Sequence, residues 1–306
     1  MNRTSLKHEI APTQVKIDCV LKAQAQIGEG PLWSPSEQLL YWTDIPAKKL
    51  HVFNPKDGSN KTHEMPDMVT SIATRKKGGL ALTLRKTFGY FDPATGKLEL
   101  TADPEPEKPG NRFNDGKCDR QGRMWGGTMG DVEWDQPVGN LYRLGADGAI
   151  KRMESNICCS NGIGWSPDSK TMYFTESFKY FRIFAYDFDP ATGDIKNRRV
   201  FVQMPIDTPA FPDGLTVDAE GYVWSAQPMY GRLARYSPEG RIERIIELPV
   251  SRGTSMTFGG PDLDILYVTT MRLTLSDDQL AEEPLAGSLL SLRPGMKGIA
   301  EAPFAG

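Results

Sequence analysis

Asp213–Gln227 reads DGLTVDAEGYVWSAQ: a short apolar run, a polar turn closed on glycine, and a second run that carries a tryptophan. The same plan recurs at Gly30–Asp44 (GPLWSPSEQLLYWTD), Asn114–Met129 (NDGKCDRQGRMWGGTM), Asn161–Glu176 (NGIGWSPDSKTMYFTE) and Ser255–Thr270 (SMTFGGPDLDILYVTT). Each copy predicts two short strands joined by a tight turn, the second strand marked by Tyr41, Trp125, Tyr173, Trp224 or Tyr267. A weaker copy spans Met68–Leu84, with its second strand near Ala81, and successive markers then lie 40, 44, 48, 51 and 43 residues apart. A period of about 40–50 residues is that of propeller blades, and six copies use up the chain.

A further strand entering a Pro/Gly turn follows each copy: LHVFNPKDG, FGYFDPATG, LYRLGADG, IFAYDFDPATG, LARYSPEG and LLSLRPG. After five of these a fourth strand is available, for example Gly240–Leu248, but Ser288–Arg293 is followed only by a Gly-rich tail. Val15–Gln26 (VKIDCVLKAQAQ) alternates apolar with polar residues ahead of the first copy, so it can supply the missing outer strand and close the ring. Closure removes a sheet edge that would otherwise recruit other chains. The expected fold is all-β: a six-bladed β-propeller with four-stranded blades over residues 15–306, its last blade closed by the N-terminal strand, after a flexible leader of residues 1–14. A β-sandwich or two stacked all-β domains would not produce a period and a copy number that agree.

The 306 residues carry 36 basic against 39 acidic side chains with no block of either sign, so no footprint for nucleic acid is present. No apolar stretch has the length of a signal peptide core or a membrane span, which predicts a soluble, cytoplasmic protein without a membrane partner. Cys19, Cys118, Cys158 and Cys159 lack metal-finger spacing and read as free, mostly buried thiols. Of the three histidines, His8 lies in the leader and His51 and His63 fall on outer strands of the first blade. Neither a Ser-His-Asp triad nor a histidine cage is expected.

The first strand of each blade lines the central channel, so residues just before it in different blades converge at one mouth. Counting back 10 to 12 residues from the blade markers finds Glu29, Asn114 with Asp115, Asn161, and Asp213. Each sits beside glycine, which lets the backbone approach the axis closely. Asn-Gly and Asp-Gly taken singly are turn signals, but their recurrence at one repeat position is not a turn pattern, and Glu29 between Gly28 and Gly30 is no turn residue. Carboxylates and amide oxygens gathered on an axis call for a cation. An all-oxygen set favours Ca²⁺, Mg²⁺ or Mn²⁺ over a structural zinc, with Zn²⁺ or Fe²⁺ in a catalytic site as further candidates. Arg112, two residues before Asn114, is either a surface arginine or a group pointing over the same mouth.

GEGPLW at Gly28–Trp33, NRFNDGKCDRQGRMWGGTM at Asn111–Met129, SNGIGWSPD at Ser160–Asp168, FPDGLTVDAEG at Phe211–Gly221 and FGGPDLDILYVTT at Phe258–Thr270 resemble the family of senescence marker protein 30 and gluconolactonase. The likeness runs from about Cys19 to Leu292. It implies a six-bladed propeller that hydrolyses a sugar lactone, such as glucono-1,5-lactone or a pentonolactone, to the aldonic acid with one divalent metal, Ca²⁺ first among the candidates. It also implies Glu29, Asn161 and Asp213 as metal ligands, and Arg112 and Asn114 as substrate-binding groups. The family often carries an acidic pair after GTM, where this chain has Gly130-Asp131-Val132-Glu133, so Asp131 and Glu133 join the substrate-binding candidates. Asp213 is the expected general base. The alternatives are an arylesterase or phosphotriesterase of the same architecture, and a non-catalytic metal-binding propeller that uses its faces for protein contacts.

Overall fold

The structure is a computed structural model that describes residues 10–306; the first nine residues of the expected leader, His8 among them, lie outside the described residues. Six four-stranded antiparallel sheets radiate from one axis. Their inner strands are Gly28–Ser34, Val69–Thr74, Asn111–Cys118, Ser160–Trp165, Leu215–Val217 and Gly253–Gly259, in blades 1 to 6. All six markers, Ala81 included, fall on second strands and are buried. Inner and second strands are covered on both faces by neighbouring blades, so Met124–Gly130 is buried at every residue. Outer strands such as Ser59–Glu64 are largely exposed and polar. His51 and His63 lie on the third and outer strands of blade 1, and the four cysteines are free, three of them buried.

The tight turns have a shared chemistry. In blades 3 and 5, Asp119 and Asp218 accept backbone N–H groups across the turn and also the indole Nε1–H of Trp125 (3.0 Å) and Trp224 (2.9 Å). One fully buried carboxylate therefore closes the turn and fixes the marker side chain behind it. The markers fill six interblade cores, one at each junction.

Blade 6 is completed from the other end of the chain. Ile17–Leu21 pairs antiparallel with Leu289–Leu292, Cys19 standing opposite Leu290. Thr13, within the expected leader, also docks, its N–H donating to Ile245 O of blade 5 at 2.7 Å. The tail after Arg293, which carries no strand pattern, crosses the inner-strand turns at the end of the channel opposite Glu29. Gly298 N–H donates to Leu263 O, Ala219 N–H to Lys297 O, and Phe304 N–H to Thr74 O. Phe304 is fully buried in the junction of blades 2 and 3, the one whose marker is Ala81 rather than an aromatic residue. One short helix, Asp277–Glu282, carries a capping box from Ser276 and Gln279. No helix among the described residues is long and apolar enough to cross a membrane.

Because Phe304 supplies the large side chain that Ala81 does not, Phe304→Ala is expected to cost about 3–5 kcal/mol. Urea unfolding measures it, and a loss below about 1 kcal/mol would show the junction closing without the tail.

Candidate active site

The channel-lining candidates do not simply precede the inner strands. Glu29, Asn114 and Asn161 lie within them, where the register slips between Glu29 and Leu32, between Phe113 and Gly116, and between Ser160 and Ile163. A bulge bends the strand and re-aims its side chains, which turns these residues toward the axis. Asp213 stands two residues ahead of Leu215–Val217, its N–H bonded to Ala226 O at 2.9 Å. The glycines beside these residues serve close approach rather than turns. A Cβ on Gly162 would lie 2.3 Å from Leu215 N, and one on Gly214 would lie 2.2 Å from Ser255 Oγ. No larger residue lets the inner strands come this close.

Glu29, Arg112, Asn114, Asn161 and Asp213 line one cavity of about 240 Å³ at the mouth. A chain of hydrogen bonds orients them. Ser177 Oγ–H donates to Pro212 O (2.6 Å) and accepts from Asn161 Nδ2 (2.7 Å), which turns Asn161 Oδ1 toward Asn114 Nδ2 (3.2 Å). Asn114 Oδ1 in turn accepts from the Arg112 guanidinium at 2.7 Å. Arg112 Nε pairs with Asp131 Oδ1 at 3.1 Å, and Arg85 holds the other Asp131 oxygen. Asp131 thus touches Arg112 rather than lining the cavity, and Glu133 is exposed outside it.

Burial, then Asp213 and Asp115, hold the Glu29 carboxyl well above the ordinary carboxylate range, against one hydrogen bond from Gly30 N–H at 2.9 Å. Burial and Asp115 raise Asp213 in the same way. Asp115 is pushed up to about 6 by burial, opposed by Lys117. Lys117 Nζ is engaged on the tail side of the channel by Glu301 at 3.0 Å and by Leu215 O at 3.2 Å. Among the described residues no three Asp, Glu, His or Cys side chains form a ready-made cage. The donors at the mouth are two carboxylates and an amide oxygen whose NH₂ is already committed to Ser177. That set suits a hard divalent cation, which would relieve the repulsion that raises both carboxyls. Burial holds the Cys159 thiol well above its usual range, so it packs here as a protonated group rather than a nucleophile.

Two features carried no repeat signal. Trp134, Phe178 and Phe211, from loops of blades 3, 4 and 5, form an apolar wall with ring centroids 5.6 Å and 4.7 Å apart. Arg252, just ahead of the blade 6 inner strand, lines the cavity on another side. Both lie in connections whose lengths differ between blades, outside the repeat positions.

The family model for the SMP-30/Gluconolactonase/LRE-like region matches residues 27–272. Regucalcin of Oryctolagus cuniculus is 36% identical over 300 residues, covering 96% of this chain and 100% of that protein. The 6-deoxy-6-sulfogluconolactonase of Pseudomonas putida is 35% identical over 291 residues, covering 95% and 99%. A solved structure of a calcium-binding protein, regucalcin, from Agrobacterium tumefaciens superposes with a TM-score of 0.89 at 30% identity, covering 95% of this chain and 97% of that one.

The three raised carboxyls fix the sign of a pH effect. Their contribution to stability is fully present below the unfolded carboxylate range near about pH 4 and is lost as pH rises, for Asp115 through about 6. Chelator-treated protein is therefore expected to have a lower Tm at pH 7.5 than at pH 5, with Ca²⁺ raising Tm more at pH 7.5. Thermal unfolding that ignores Ca²⁺ at both pH values would contradict a cation at this mouth.

Proposed function

The chain belongs to the SMP-30/gluconolactonase family, and on that footing we propose that it is a carboxylic-ester hydrolase that opens a sugar lactone to the aldonic acid at the channel mouth. The observation that carries this reading is the meeting of Glu29, Asn161 and Asp213, from blades 1, 4 and 5, in one cavity with Arg112 and Asn114. Lactonase relatives such as the Pseudomonas putida enzyme support the reaction class.

Glu29, Asn161 and Asp213 would hold one divalent cation, Ca²⁺ best matching the all-oxygen donors. When bound, the cation would supply Lewis acidity to the lactone carbonyl and charge for the developing oxyanion. Asp213 takes a proton from the water whose oxygen adds to the carbonyl carbon. It returns that proton to the ring oxygen as the C–O bond breaks, so lactone and water become hydroxyl and carboxylic acid. Arg112 and Asn114 hold substrate hydroxyls. Asp131 is a positioning residue that neutralises Arg112 and fixes its plane. The Trp134–Phe178–Phe211 wall offers an apolar face for the C–H side of the sugar ring. Such a wall would also admit an aryl ester, so coloured aryl esters are the comparison substrates. A purely structural ion would need neither Arg112 nor Asn114 beside it.

Asp213→Ala is expected to lower kcat by about 10²–10⁴ on aldonolactones. Asn114→Ala should raise KM about three- to tenfold with a smaller change in kcat. Acid release in a pH-indicator assay reads both, and near-normal turnover by Asp213→Ala would remove it from the base role.

A further inference from the structure

Arg252 is 8% exposed and lines the mouth cavity, yet its Nε–H has no hydrogen-bond partner. One terminal nitrogen donates to Thr274 Oγ1 at 2.5 Å. Thr274 is a β-branched residue held at φ 68°, a strained conformation that persists where the surroundings over-determine it. Those surroundings are substantial. Met271 N–H donates to Arg252 O, Leu273 N–H to Gln26 O, and Leu275 N–H to Arg272 O. The blade 6 helix brings Glu283 onto Ser251, accepting its N–H at 2.6 Å and its hydroxyl at 2.9 Å. Burial lowers the Arg252 pKa, and from its place on Ser251 Glu283 opposes that shift electrostatically. The guanidinium is thus fixed in place with a donor left over.

The two arginines of the mouth differ in kind. Arg112 is paired directly with Asp131 and bonded to Asn114 and Phe113 O. It belongs to blade 3, and Arg252 belongs to blade 6, the blade diametrically opposite in a ring of six. Asn114, Asp213 and Arg252 line the same cavity, so a substrate with its lactone at Asn114 and Asp213 would have room to bring its remote end to Arg252. Met271 and Leu273 flank that side of the cavity, and an apolar lining strengthens a charge-assisted hydrogen bond.

We propose that Arg252 is a specificity-determining residue, and that the preferred substrate is an aldonolactone bearing an anionic group, sulfonate, phosphate or carboxylate, at the end remote from the lactone. This rests on the lactonase reading and names the substrate class within it. Arg252 meets the anion with the charge of its guanidinium, which lines the cavity, and leaves the bond-breaking steps to the residues at the axis.

The test compares glucono-1,5-lactone with its 6-phosphate, its 6-sulfonate analogue and the 6-carboxylate lactone, using wild type, Arg252→Gln and Arg252→Lys. Wild type is expected to show a KM at least about tenfold lower for one or more of the anionic lactones. Arg252→Gln should remove that preference by raising KM at unchanged kcat and leave the neutral lactone within about twofold. Arg252→Lys should restore part of it, since the charge survives without the fork. Which anionic lactone shows the largest change identifies the group read. Equal effects of Arg252→Gln on neutral and anionic lactones, or none on either, would overturn the proposal while leaving the lactonase reading intact. Binding of the ring-opened 6-sulfonate and 6-phosphate acids, followed by tryptophan fluorescence, separates the two readings without turnover. Arg252-dependent binding in a protein that opens no lactone would sink the reaction class alone, and binding indifferent to Arg252→Gln would sink the anion site.

Discussion

Three carboxylates, Glu29 and Asp213 buried and Asp115 half-buried, come from alternate blades and act on one another across the channel. Lys117 opposes the charge of Asp115, whereas Glu29 and Asp213 are held up by burial and by neighbouring carboxylates against one backbone hydrogen bond each. Mutual repulsion in a desolvated space would normally be removed by mutation or by protonation. Here it is built in by glycines that admit no Cβ at the inner-strand crossings and by bulges that turn the side chains inward. A compensating charge at the mouth makes sense of that geometry, and the same charge is what an ester carbonyl needs in order to react with water near neutral pH.

The rest of the fold serves to keep these groups where they are. Interblade cores filled by the marker side chains fix the six inner strands relative to one another. The N-terminal strand closes the ring, and the C-terminal tail covers the end of the channel away from the mouth. The hydrogen-bonded chain from Asp131 through Arg112, Asn114, Asn161 and Ser177 to Pro212 O sets which face of each amide points inward. Positions held by such a supporting network are ready before substrate arrives.

What could be read from the sequence follows from periodicity. The blade markers, the turns at Asp119 and Asp218 and the closing strand each obey a local pattern, so blade number and closure are legible, and the family motifs point to residues that meet in one cavity. Even Ala81, the weak marker, fell on its strand. The bulges were not legible, because a one-residue slip between Glu29 and Leu32 leaves no mark on composition. From its place after GTM Asp131 reads as a substrate-binding candidate, and only the side-chain positions reveal Arg85 and Arg112 gripping it. Arg252, Trp134 and Phe178 lie in connections of irregular length, where nothing repeats. The tail has no strand alternation, and its role rests on a single phenylalanine finding the one junction that lacks an aromatic marker.

Calorimetric titration of chelator-treated protein with Ca²⁺ examines the axial assignment most directly. One equivalent should bind wild type, and the heat of binding should vanish in Glu29→Gln and in Asp213→Asn while both remain folded by circular dichroism. Binding of one equivalent with unchanged affinity in both variants would contradict a cation held by these carboxylates.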